Sequence, residues 1–156
     1  MANMAFHHSP GLFVLVHNAS APSDAEWGAY VEEVKQEPDP SRFVTLVYTD
    51  GGSPTHEQRA ALNLALGYSS TRTAVLSVSA VVRGVVSALN FFNREIRSFA
   101  PAEVDRAFDH LRMSPAMREL ARQEIRRLGQ QVSSRSAQQA PSPGSSSGCA
   151  TTACNS

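Results

Sequence analysis

FVTLVYTDGGSPTHEQRAALNLALGYSSTRTAVLSVS, from Phe43 to Ser79, holds two strand-like runs on either side of one helical segment. Phe43 to Tyr48 is rich in β-branched and aromatic residues, which fit a pleated, buried surface. Asp50-Gly51-Gly52 breaks that run. Ser53 followed by Pro54 reads as a helix N-cap with proline at the first helical position. Leu62, Ala65 and Leu66 then fall on one helical face, and Gly67 supplies a stop. Thr73 to Val78 is the second strand. A strand–helix–strand unit of this kind joins parallel neighbours through a right-handed crossover.

The same alternation continues on both sides. Upstream, Leu12 to Val16 (LFVLV) is an apolar run of strand length. Ser23-Asp24-Ala25-Glu26 forms a capping box, in which the serine oxygen accepts an early helix N–H and the glutamate reaches back. Trp27, Tyr30, Val31 and Val34 follow at helical spacing until Pro38 and Pro40 end the helix. Downstream, Ser79 caps an apolar helix, AVVRGVVSALNFF, and Ile96 to Phe99 is a short strand. Pro101 opens a helix with Val104, Ala107, Phe108 and Leu111 inward. Ser114 and Pro115 start a last one, with Met117, Leu120, Ala121, Ile125 and Leu128 inward and Gly129 at its end. This order predicts an α/β fold: a small, mostly parallel sheet of four to five strands covered by helices. Residues 11–132 make up that domain, residues 1–10 are expected to be a flexible N-terminus, and the Ser-rich residues 133–156 a disordered tail without apolar mass to bury.

Composition narrows the classes of function. Of 156 residues, 42% are hydrophobic and 18% charged, and 14 basic residues balance 14 acidic ones. A neutral chain gives no electrostatic argument for nucleic acid or an anionic membrane. No apolar run reaches the ~20 residues of a membrane helix, and Met1 to Pro10 lacks the pattern of a signal peptide, so a cytoplasmic location is expected. Cys149 and Cys154 both fall in the tail, so the folded part has no disulfide or thiolate metal site. No metal and no cofactor is expected. His7 and His8 lack further ligands, and the Gly51-Gly52 turn lacks the lysine of a P-loop.

RTAVLSVS (Arg72 to Ser79) and IRSFAPAEVDRAFDHL (Ile96 to Leu111) carry a family resemblance. The first reads as a basic residue, apolar positions and a small polar turn. The second reads as a short strand, an aromatic and an acidic helix start with an apolar face. Both resemble the STAS domain and its SpoIIAA-like branch, often grouped with the Sec14-type fold, and the layout is similar from Gly11 to Leu111. The resemblance implies a non-enzymatic regulatory module that binds protein partners, with some relatives binding small ligands. Regulatory members carry a phosphorylatable hydroxyl in an Asp-Ser-x-Gly phrase after the second main strand. Here that place reads Thr49-Asp50-Gly51-Gly52-Ser53-Pro54-Thr55, which departs from the phrase; Ser53 is the nearest hydroxyl and Thr55 the second.

Three readings of function stay open. In the first, Asp50, Gly51, Gly52, Ser53 and Thr55 form a regulatory or partner-binding turn; a phosphate on Ser53 would face the positive end of the next helix. The plain alternative for Ser53 is a helix cap. In the second, Val82, Val85, Val86, Leu89 and Phe92 form an apolar surface for a protein partner, a second copy of the chain, or a small ligand or lipid. Core packing is the plain alternative for those side chains. In the third, Gly51-Gly52-Ser53 is half of a nucleophile elbow and the chain is a Ser hydrolase. That reading needs His56 or His110 beside Ser53, and Thr55 stands where the second glycine belongs. Arg118, Arg122 and Arg126 form one stripe, read as a solvated face paired with Glu119 and Glu124.

Overall fold

Strand β2 (Leu12–His17) is buried at every position, because it lies between two other strands and helices cover both of its faces. The computed structural model describes residues 2–90 and 95–137. Its remaining elements are β1 (Met4–Ser9), α1 (Asp24–Lys35), β3 (Val44–Thr49), α2 (His56–Ala65), β4 (Arg72–Ser77), α3 (Ala80–Asn90), β5 (Ile96–Phe99), α4 (Val104–Leu111) and α5 (Pro115–Ala137). The five strands lie in sequence order, with β1 antiparallel to β2 and β2 to β5 mutually parallel. The sheet is therefore mixed, not mostly parallel.

The N-terminus accounts for that correction. Residues expected to be flexible form the edge strand β1, which pairs from Met4 opposite His17 to Ser9 opposite Leu12. The turn between them is Pro10-Gly11, with Gly11 at φ +79°. Proline fixes the first turn position and glycine accepts the positive φ of the second. His7 and His8 thereby point to opposite faces: His7 faces Glu124 at 3.6 Å, while His8 bonds Glu37 at 2.7 Å and stacks on Phe13.

Two cores follow from the alternation of side chains. Phe13 and Leu15 of β2 pack with Met4, Trp27, Tyr30 and Val34 beneath α1. The Phe13–Tyr30 and Trp27–Tyr30 rings meet edge to face at 5.6 and 5.3 Å. Leu12, Val14, Leu46 and Leu76 point the other way, against Phe108 and Leu111 of α4 and Ala121 and Leu128 of α5. Ser98, which alternates with the core residue Phe99, donates to the Arg83 carbonyl at 3.2 Å and so places α3 on the α1 side.

Two helix boundaries differ from the sequence reading. Helix α2 begins at His56 with Thr55, not Ser53, as its N-cap. Helix α5 runs through Gly129 to Ala137. A single glycine in a helix costs only about 1 kcal/mol, and Gln130, Gln131 and Val132 after it continue the pattern, with Val132 buried in the core. Among the described residues no helix is long and apolar enough to cross a membrane. Cys149, Cys154 and residues 138–156 lie outside the described residues, as does Phe92.

Candidate functional site

The parallel strands β2, β3 and β4 end level with one another at the carboxyl edge of the sheet. Their last residues form a cross-strand row: His17 opposite Thr49, and Thr49 opposite Ser77. All three are polar and buried, at 2%, 3% and 0% exposure. A buried polar row at this end of a sheet is the arrangement to test for chemistry.

Its hydroxyls are committed to the backbone. Thr49 Oγ1 donates to the Gly52 carbonyl at 2.6 Å and accepts from the Gly51 N–H at 3.1 Å. Ser77 Oγ accepts from the Ser79 N–H at 3.1 Å, and Arg83 folds back to donate to the Ser77 carbonyl at 2.6 Å. These bonds shape the turns that leave the sheet. Histidine 17 differs: its buried Nδ1 has no hydrogen-bond partner. Burial pushes its pKa from 6.5 down to about 4, against an opposing pull from Glu26, so the ring is neutral near pH 7.

The loop after β3 is clamped onto the loop after β2. Asp50 N–H donates to the His17 carbonyl and Gly52 N–H to that of Asn18, at 3.3 and 2.9 Å. A Cβ on Gly52 would lie 2.1 Å from the Ser20 carbonyl oxygen and 2.5 Å from that of Asn18. Only glycine lets the two backbones approach this closely. Gly51 beside it sits at φ +135°. Gln58 completes the clamp: its side chain donates to the Pro22 carbonyl and Asp24, both at 2.9 Å, and its carbonyl accepts from Trp27 Nε1 at 2.7 Å. Sequence reasoning overlooked His17 and Gln58; polar residues at the end of an apolar strand and at the third position of a capping box were the available signals.

Ser53 and Asp50 are exposed on this rigid turn, and Ser53 makes no hydrogen bond among the described residues. Thr55 reciprocates with Gln58 in a capping box. Neither histidine that could serve a hydrolase as base is hydrogen-bonded to Ser53. His110 hydrogen-bonds the carbonyls of Thr73 and Glu95 at 3.2 and 3.0 Å, at the amino end of β4, the opposite end of the sheet. His56 opens α2 and forms no hydrogen bond with Ser53.

Beside the turn, across the row, α3 leaves β4. Val78, Val81 and Val85 are 62%, 76% and 56% exposed. The residues read as one apolar surface divide here: Val86 is buried and Val82 half-buried, while Val85 faces out; Leu89 belongs to the same helix. Leu64 and Tyr68 at the end of α2 are also exposed, at 67% and 79%. Among the described residues no cluster of metal-ligating side chains occurs. The arginine stripe pairs mainly with α4: Arg118 with Asp109 at 2.7 Å and Arg122 with Asp105 at 2.6 Å, whereas Glu124 pairs with Arg127. No protein-family model, curated protein or solved structure matches the chain.

Proposed function

We propose that this chain is a non-enzymatic regulatory module of the STAS/SpoIIAA-like kind. It binds a protein partner at the carboxyl end of its sheet, through the Ser53 turn and the outward face of α3. One observation carries the reading: Val78 in the turn before α3, and Val81 and Val85 one helical turn apart on it, are large, apolar and exposed. Single exposed apolar residues are ordinary, but neighbouring ones around the start of one helix point to a surface that spends time covered. The only charged side chain within α3, Arg83, is folded back onto Ser77. The face therefore favours a partner with an apolar, weakly charged surface. The clamped turn beside it holds Ser53 on a rigid frame, so a charge placed there alters the surface without reshaping the fold.

The test is quantitative capture from the native host by the full chain, compared with Val81→Asp/Val85→Asp and with Ser53→Asp. These surface changes should leave stability within about 0.5 kcal/mol. Loss of one specific partner in the double variant, and weakened capture with Ser53→Asp, support the reading. An unchanged set of partners in both variants removes it.

A further inference from the structure

The sheet has two edges, β1 and β5, and they are built differently. An exposed edge invites pairing with another strand, and folded proteins protect edges with short length, charged side chains, proline or bulges. Strand β5 is protected: it has four residues, and Arg97 stands exposed at its second position. Strand β1 is not. Its six residues, MAFHHS, include no lysine, arginine, acid or proline, and they pair one to one with β2 without a bulge. Helices α3 and α4 pack over β4 and β5, and α5 over β1 and β2, so the two edges lie at opposite flanks of the molecule.

Pairing with β2 decides which backbone groups of β1 remain free. Asn18 N–H donates to the Asn3 carbonyl at 2.9 Å, so these two residues form a hydrogen-bonded pair. Such pairs alternate along an antiparallel ladder. Ala5, His7 and Ser9 therefore direct their backbone groups to β2, while Met4, Phe6 and His8 direct theirs out of the sheet. Glu26 accepts from the Met4 N–H. The Met4 carbonyl and both backbone groups of Phe6 and His8 have no partner among the described residues. A two-fold axis at Phe6 uses these groups in four hydrogen bonds: two exchanged between the Phe6 backbones, and one from each His8 N–H to the Met4 carbonyl of the other copy.

The side chains suit the same register. Phe6 meets Phe6 on the α1 face, which extends its edge-to-face contact with Tyr30 at 5.7 Å. Met4 meets His8 on that face, and the small Ala5 meets His7 on the other. An axis at His7 would instead set two His7 rings against each other at the closer, non-hydrogen-bonded spacing. The polar rings flanking the edge are already partnered within the chain, His7 with Glu124 and His8 with Glu37.

We infer that two copies of this chain join through β1, antiparallel and centred on Phe6, into one continuous sheet. A two-fold contact of this kind is closed, because each copy's edge covers the other's. Both α3 faces stay at the far flanks of the dimer, so the contact stands or falls independently of the partner-binding reading.

Sedimentation equilibrium of the full chain is the test. One strand pair makes a small interface, so a dissociation constant on the order of 10–100 µM is expected. Amide hydrogen exchange should slow with concentration at Phe6 and His8 more than at His7, whose N–H already bonds β2. Phe6→Lys opposes like charges and removes an aromatic pair, and should weaken the dimer at least about ten-fold. Phe6→Glu should do the same, and an equal mixture of the two should associate again, because lysine then faces glutamate. His8→Pro removes an outward N–H and leaves the ladder to β2 intact, so it weakens the dimer without relying on the Phe6 variants. Circular dichroism checks that each variant is folded. A native chain still monomeric at about 500 µM, the result expected of an edge kept for a foreign strand, would overturn the assignment. So would a dimer unchanged by His8→Pro and Phe6→Lys, or folded Phe6 variants that associate no better mixed than alone.

Discussion

Replacing His17 with leucine should make the protein less sensitive to acid. In the native fold the ring is buried against Trp27, with its Nδ1 unpartnered and its pKa lowered from 6.5 to about 4. The unfolded chain takes up a proton on this histidine near pH 6.5, whereas the folded chain resists until about pH 4. Between those values the unfolded state binds more protons, so stability falls as pH falls. The slope from this one group is about 1.4 kcal/mol per pH unit, and the accumulated loss approaches about 3 kcal/mol. Above pH 6.5 both states are neutral and the contribution is flat. His17→Leu removes the titration, and it also removes a buried polar atom without a partner, so the variant should be at least as stable as the native chain near neutrality. Urea unfolding of both proteins, followed by tryptophan fluorescence, gives their stability difference at about pH 7 and about pH 4.5. The difference should widen in favour of the variant by about 2–3 kcal/mol on acidification. Parallel stability profiles for the two proteins across that range would refute the reasoning, because every other titrating group is common to both.

Thr55→Ala should cost about 1 kcal/mol by removing the N-cap of α2, whereas Ser53→Ala should stay within about 0.5 kcal/mol; chemical denaturation of the pair separates cap from surface residue. Gly52→Ala must push apart the Asn18 and Ser20 carbonyls, and a loss of about 2–3 kcal/mol is expected in the same assay. Phe108→Ala empties a fully buried site beneath α5 and should cost about 3–5 kcal/mol with an unchanged denaturant slope.

The elements with strong local signals were legible in the chain. The apolar run at Leu12, the capping box at Ser23 and the two strands of the βαβ unit from Phe43 to Ser79 each state their own period, and the folded elements follow them, while the helix between those strands starts two residues later than Ser53-Pro54 implied. The edge strand β1 was not legible because MAFHHS carries polar residues on both faces and little β-branched character, and only Pro10-Gly11 hinted at a hairpin. The Ser53-Pro54 pair signalled a cap that the fold does not use. The choice fell to Thr55, whose N3 residue Gln58 also reaches Pro22 and Asp24, contacts far away in the chain.

By itself the sequence determined the order of β2 to β5 and of the helices between and after them, because periodicity and capping are local properties of a few neighbouring residues. Tertiary structure alone decided that His17, Thr49 and Ser77 form one buried row, that Gly52 touches the loop after β2, and that Val85 faces out while Val86 faces in. It also matched Arg118 and Arg122 with carboxylates on α4. Those outcomes depend on strand register and on how two helices divide five strands between them, quantities fixed by residues distant in sequence that meet only when the sheet closes.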